Sequence, residues 1–292
     1  MNCVQEISIR VEKIKTIFQK SKEEVSIQKN LELLIQHLEQ ISSEFRSVGY
    51  EGASMGIALN DIAKNKSLDE WNLFLEKSKA HLAQIHAGLG WAIAKQNISV
   101  TPILEKLSPL ERYRVLDGQG YYDGIFRQRI SFREQITPIG FNNNMLQAYY
   151  QGIGRSLWYT NYSDVNKIQE IILSFRLEHR AALWVGIGVA CAYVGGFDEN
   201  LLKSISNASE KYQNQLAIGA VLAARSRIQA NSLTDDVELA CKIWCNSSAQ
   251  ESMLLSVKSE PSASAKAEDF YNIWLSQIEK GLSGDSILNN SK

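Results

Sequence analysis

Residues 81–94 read HLAQIHAGLGWAIA, and residues 179–192 read HRAALWVGIGVACA. Laid together, His81 falls on His179, Gly88 on Gly186 and Gly90 on Gly188, while Ala83, Ala92 and Ala94 fall on Ala181, Ala190 and Ala192. Tyr50-Glu-Gly52 echoes Tyr150-Gln-Gly152 at an offset of 100, and further glycine-centred stretches occur at Asp117-Gly118-Gln-Gly120-Tyr-Tyr122 and at Ala217-Ile-Gly219-Ala220. The glycines at 52, 88, 118, 152, 186 and 219 thus recur with a period of about 33 residues, the length of one αα-hairpin. Glycine inside a helix costs about 1 kcal/mol relative to alanine, so a repeated cost needs a repeated reason. Close backbone approach between neighbouring helices supplies one. The echo predicts an all-α chain folded as an α-solenoid, with stacked αα-hairpins resembling tetratricopeptide repeats.

The surrounding sequence agrees with helices. Only 4 prolines occur in 292 residues, none before Pro102 and none between Pro138 and Pro261. Val11, Ile14, Ile17 and Phe18 make one amphipathic face, and Val25, Leu31, Leu34, Ile35, Leu38, Ile41 and Phe45 another. Helix starts are legible at Ser67 (with Glu70), Thr101-Pro102, Ser108-Pro109, Asp164, Asp198 and Thr234. Residues 127–144, with Pro, Gly and three consecutive Asn, read as a long connection. The predicted organisation is N-terminal helices over 1–45, a repeat domain over 46–257, a linker over 258–266, a C-terminal helix over 267–282 and a disordered tail over 283–292.

Composition narrows the function classes. With 31 basic and 32 acidic side chains the formal charge is −1, which offers no broad footprint for nucleic acid. Four cysteines and no signal peptide suit a cytoplasmic, reduced protein. Residues 181–197 carry no charge, but the run is shorter than the roughly 20 residues of a membrane span and rich in small side chains, so it reads as a buried helix. Cys241 and Cys245, four apart, have no histidine or third cysteine nearby, and His81 and His86 lack the spacing of a zinc pair; no metal or cofactor is expected. Gly118-Gln-Gly120 and Gly152-Ile-Gly154 lack the preceding strand and third glycine of a dinucleotide loop, and no serine elbow is present.

The polar residues near the glycines are the candidate ligand-binding set: Glu51, His86, Asp117, Tyr121, Tyr122, Arg155 and Trp158. If the glycine-bearing helices line the inside of a superhelix, these side chains converge. Arg155 and Asp117 can equally form a buried ion pair that fixes packing.

Four ordered stretches, His86–Ala92, Leu116–Tyr122, Gly152–Trp158 and Leu183–Gly196, resemble a bacterial family of unassigned function encoded beside enediyne polyketide synthases. The resemblance covers residues 45–230. It implies a polyketide pathway, a polyene as cargo or substrate, and protein partners that include a membrane protein and a propeller-like protein. Where that family has an aromatic residue followed by histidine, this chain has Tyr121-Tyr122, so no role needing an imidazole at 122 carries over. The expectation is an accessory protein that holds a partner protein or a lipophilic polyene in a helical groove, acting in the cytoplasm or peripherally at a membrane through its partner. The alternative is a cofactor-independent tailoring enzyme using His86, Asp117, Tyr122 and Arg155 as acid, base and anchors.

Overall fold

The computed structural model describes residues 3–284 except 29, 66, 263–265 and 267. Among them the chain is all helical, without a strand. In order the helices are α1 (Cys3–Ile27), α2 (Leu31–Glu39), α3 (Ser43–Asn65), α4 (Asp69–Lys77), α5 (Leu82–Gln96), α6 (Thr101–Leu104), α7 (Pro109–Phe126) and α8 (Asn143–Thr160). They continue as α9 (Val165–Ser174), α10 (Leu177–Val194), α11 (Glu199–Ser209), α12 (Gln213–Gln229), α13 (Asp235–Trp244), α14 (Ala249–Lys258) and α15 (Phe270–Leu282). The uncharged stretch of 181–197 is largely α10, and no helix among the described residues is long and apolar enough to cross a membrane.

Long helices α1, α3, α5, α7, α8, α10 and α12 stand side by side in one row, each packed on the next. The shorter helices lie between them and dock a small apolar edge: Trp71 and Phe74 from α4, Ile168 and Ile172 from α9, Leu202 and Ile205 from α11. Because α1 packs on α3 as α3 packs on α5, the row runs unbroken through the boundary expected at 45/46.

The row is held by glycines facing carbonyls. A β-carbon on Gly120 of α7 would overlap the Tyr149 carbonyl oxygen of α8, and one on Gly152 of α8 would overlap the Asp117 carbonyl oxygen of α7. Each helix therefore supplies both a gap and the backbone that fills its partner's gap. The same exchange is made by Gly90 and Gly118 between α5 and α7, by Gly154 and Gly186 between α8 and α10, and by Gly188 and Gly219 between α10 and α12. The paired histidines mark a second repeated contact. His81 stacks on Tyr50 at 3.9 Å between ring centres and His179 stacks on Tyr150 at 3.8 Å, both at 17°. Tyrosine of one unit and histidine of the next are thus one joint, used twice.

The row curls until its ends meet. Arg10 of α1 donates from Nε to the Val194 carbonyl at the end of α10 (2.6 Å) and pairs with Glu44 and Asp236. Arg227 of α12, 1% exposed, donates to the carbonyls of Tyr193 and Glu44, and Gln84 of α5 donates to Ser226 of α12 at 2.7 Å. Helix α15 folds back over one end. Tyr271 stacks on Tyr113 at 4.9 Å and donates to Gln151, while fully buried Trp274 donates to the Ser256 carbonyl at 2.7 Å.

Local signals fared unevenly. Ser108 is the N-cap expected before Pro109 and also forms a capping box with Glu111, and Asp164, Asp198 and Thr234 cap their helices. Ser67 does not cap: the N-cap of α4 is Leu68, and Asp61 of α3 takes the Trp71 backbone N–H at 3.0 Å instead. Val100 rather than Thr101 precedes the first turn of α6. The connection of 127–144 contains one wide helical turn, Arg129–Arg133. Of the tail expected over 283–292, Ser283 and Gly284 form a turn and the remainder lies outside the described residues, as do 263–265 of the linker.

The glycine contacts predict a costly substitution. Gly152→Ala adds a methyl with no room beside the Asp117 carbonyl, backbone that cannot step aside without moving α7. Overpacking costs about 1–3 kcal/mol or more, against a helix-propensity gain of about 1 kcal/mol. Urea denaturation is expected to show net destabilisation; an unchanged or raised midpoint would overturn the packing argument.

Candidate functional site

Curling the row leaves a central cavity of about 500 Å³. Seven helices line it, and the residues they contribute follow the helical period. On α3 they are Val48, Glu51 and Met55; on α5, Gln84, Ala87, Trp91 and Lys95; on α7, Arg114, Asp117, Tyr121 and Ile125; on α8, Gln151, Arg155 and Tyr159. Steps of three and four keep one stripe of each helix facing inward. Helix α1 adds Phe18 and Lys22, α10 adds Val189 and Tyr193, and α12 adds Leu222 and Ser226.

Of the seven candidate residues, Glu51, Asp117, Tyr121, Tyr122 and Arg155 line this cavity. His86 and Trp158 do not. Each stands one position before an inward residue (Ala87 and Tyr159), a rotation of about 100° on a helix, which turns it into the packing between helices. His86 is fully buried with its ring edge-on to Trp71 at 5.4 Å, and its Nδ1–H donates to the Leu82 carbonyl at 2.7 Å. Burial, with nearby Arg114, lowers its pKa well below the ordinary histidine value, so it is neutral at pH 7. Trp158 is fully buried among the core residues. His81 and His179 are likewise occupied in their tyrosine stacks, and Cys241 and Cys245 are buried with their thiols toward the Ala220 and Ala217 carbonyls. Among the described residues no group of three metal-ligating side chains comes together.

A polar island sits on the aromatic wall. Arg155 pairs with Asp117 through Nη1, approaches Glu51 Oε1 at 3.9 Å through Nη2, and lies over the Tyr121 ring at 4.4 Å. Gln151 donates to the other Asp117 oxygen at 2.8 Å, and the Trp91 indole N–H donates to Glu51 Oε1 at 3.1 Å. Burial opposes the Arg155 charge, but Asp117 and Glu51 more than restore it. Glu51 fares differently. Burial pushes its pKa up to about 7, with Arg155 pulling down and Asp117 pushing up. One arginine is shared by two acids, and Asp117 has the better geometry. Burial also raises Tyr121 well above the usual phenol and Tyr159 to about 12, so both stay protonated. The island is therefore an Asp117–Arg155 pair beside a carboxyl that keeps its proton to far higher pH than a free glutamate.

Aromatic rings surround it. Trp91 contacts Phe18 at 4.6 Å, Tyr121 at 4.8 Å, Tyr122 at 5.8 Å and Phe126 at 6.0 Å. Trp91, Phe18, Gln151, Tyr159 and Tyr193 line the cavity and are absent from the candidate set. The signal was present: stepping four residues from Asp117 reaches Tyr121, and from Arg155 reaches Gln151 and Tyr159. Chemistry-bearing residues were sought by nearness to glycine, whereas helical phase is what selects the cavity wall.

The raised Glu51 pKa gives a pH signature. The folded state holds the Glu51 proton more tightly than an unfolded chain, whose glutamate titrates near 4.5. Stability from this group is full below about 4.5 and declines as pH rises through about 7, by up to about 1.4 kcal/mol per pH unit. Glu51→Gln imitates the protonated acid and can still accept from Trp91. Its stability relative to the wild type, followed by urea denaturation across that window, is expected to rise with pH; a constant difference would mean that Glu51 ionises in the folded protein as it does in water.

The family of proteins of unknown function DUF1702 has a model that matches residues 3–282, and the chain belongs to that family. No curated protein and no solved structure matches the chain.

Proposed function

We propose that this member of the DUF1702 family is an accessory protein that encloses a lipophilic, polyene-like small molecule in its central cavity. The observation that carries the reading is the cavity itself: about 500 Å³ of largely apolar, aromatic-walled space inside a closed row of seven helices. That is the size of a small-molecule site, which in general ranges over about 300–1,000 Å³. A folded partner protein does not enter such a space, so of the two occupants expected for a helical groove the small molecule is favoured. Flat aromatic faces at Trp91, Tyr121, Phe18 and Phe126 suit an extended conjugated chain, which stacks well and loses little conformational entropy on binding.

The sequence motifs that resemble the enediyne-associated family support a polyketide-derived polyene as the natural ligand. In that setting the protein works in the cytoplasm, holding the polyene for pathway enzymes, and reaches a membrane through a membrane-protein partner. The tailoring-enzyme alternative rested on His86, Asp117, Tyr122 and Arg155 meeting in one cavity. Three of them line it, but the His86 imidazole faces Trp71 and the Leu82 carbonyl. Without that imidazole the acid–base set is incomplete, and binding is the better supported reading.

Diphenylhexatriene, a neutral conjugated polyene that fluoresces when removed from water, tests this directly. Titration into the protein is expected to give saturable fluorescence at one molecule per chain, with quenching of tryptophan emission. Val189→Trp, which fills the cavity from α10, is expected to weaken binding at least tenfold, about 1.4 kcal/mol. Leu222→Trp fills it from α12 and serves if the first variant fails to fold by circular dichroism. No saturable binding to the wild type, or equal binding by a folded filled variant, would overturn the proposal.

A further inference from the structure

Arg114, on the inward stripe of α7, is 5% exposed and lines the cavity. It makes no hydrogen bond and no ion pair among the described residues, and its Nε is buried without a partner. Other arginines of the interior are engaged. Arg155 pairs with Asp117, Arg225 pairs with Glu260, and Arg227 donates to the Tyr193 and Glu44 carbonyls.

The acids nearest to Arg114 along its own helix are held by other groups. Glu111, one turn before it, is felt only at a distance. Its Oε2 accepts the Ser108 backbone N–H at 2.8 Å, and its Oε1 lies 3.7 Å from His86 Nε2. Asp117, one turn after, is taken by Arg155 and Gln151. The Tyr113 ring is 6.0 Å from the guanidinium carbon, at the outer limit of a cation–π contact.

The lysines of the cavity wall differ from Arg114 in their surroundings. Lys15 is occupied by Glu12 and the Tyr162 hydroxyl. Lys95 is exposed, and Lys22 is half-buried and donates to Gln19 at 2.7 Å, so water still reaches both. Arg114 has lost nearly all its water without gaining a partner. An arginine does not escape this by giving up its proton, and a buried charge without a counter-charge is costly.

We infer that the ligand is a carboxylic acid with a long apolar chain, its carboxylate held by the Arg114 guanidinium inside the cavity. This rests on the reading of the cavity as a small-molecule site and adds the head group and its anchor. The planar fork of a guanidinium matches the two oxygens of a carboxylate, and the two charges cancel one for one. A phosphate monoester, nearly doubly charged, would leave charge over. Tyr121 stands two turns beyond Arg114 on the same stripe, about 10 Å along the α7 axis. A chain anchored at Arg114 therefore reaches the Tyr121 and Trp91 rings by passing the Asp117–Arg155 pair.

Competition against bound diphenylhexatriene separates head from chain. Dodecanoate and dodecanol share one apolar chain, and at about pH 8 the acid is ionised. The wild type is expected to bind dodecanoate at least about ten times more tightly than dodecanol. In Arg114→Gln the preference is expected to fall below about threefold with the dodecanol affinity little changed, while Lys22→Gln/Lys95→Gln retains it. Arg114→Met, similar in length and uncharged, serves if the Gln variant fails to fold by circular dichroism. Three results would each overturn the inference while leaving the cavity reading standing: dodecanol equal to dodecanoate in the wild type, an undiminished preference in a folded Arg114 variant, or a preference lost in the lysine variant. Failure of the probe and of both competitors to bind would overturn the cavity reading as well.

Discussion

At the α7–α8 crossing the Tyr149 carbonyl oxygen occupies the space that a β-carbon on Gly120 would need, and the Asp117 carbonyl does the same at Gly152. The architecture depends on this exclusion. Ordinary side chains separate packed helices by the thickness of two side-chain layers; here the inner helices meet backbone to backbone. The shorter helices outside keep full-sized side chains such as Trp71, Phe74, Ile168 and Ile172 at their contacts. A row narrow on one side and wide on the other must bend toward the narrow side, as stacked repeats generally do when each adds a small rotation. Repeated across the inner interfaces, the bend brings α10 to Arg10 and α12 to Gln84 and Glu44. The cavity is what remains in the middle.

This explains which parts were legible in the sequence. Glycines repeat because the contact repeats, and the Tyr50–His81 and Tyr150–His179 stacks repeat for the same reason, so the all-α repeat architecture was open to a reader with one sequence. Closure was not, because it depends on the sum of many small rotations and on contacts such as Gln84–Ser226 that link residues far apart in the chain. Ser67 illustrates the smaller failures. Its sequence context was right for a cap, but Asp61, from the preceding helix, reached the Trp71 amide first. Local chemistry sets what a residue is able to do, and the neighbouring helix decides whether it does so.

The candidate site divided along the same line. Glu51, Asp117 and Arg155 stand within a few residues of the glycines, on helices that line the inside, and they do meet. His86 was singled out on identical grounds and faces elsewhere, since one residue of phase separates it from the cavity wall. Nearness along the chain found the right helices; periodicity was needed to find the right faces.

Why the island is tolerated at all follows from its balance. Two carboxyl groups and one guanidinium out of water carry a net charge if all ionise, and a net charge in an apolar wall is expensive. The cost is reduced because Glu51, the acid farther from Arg155, keeps its proton to higher pH than a free glutamate, while the closer acid completes the ion pair. Pairing Asp117 with Arg155 quietens that part of the wall while keeping hydrogen-bonding groups at short range beside the Trp91 and Tyr121 rings. The glycine contacts that close the row and the ion pair set into its wall are thus two parts of one arrangement, since Asp117 lends its backbone carbonyl to the Gly152 contact and its carboxylate to Arg155.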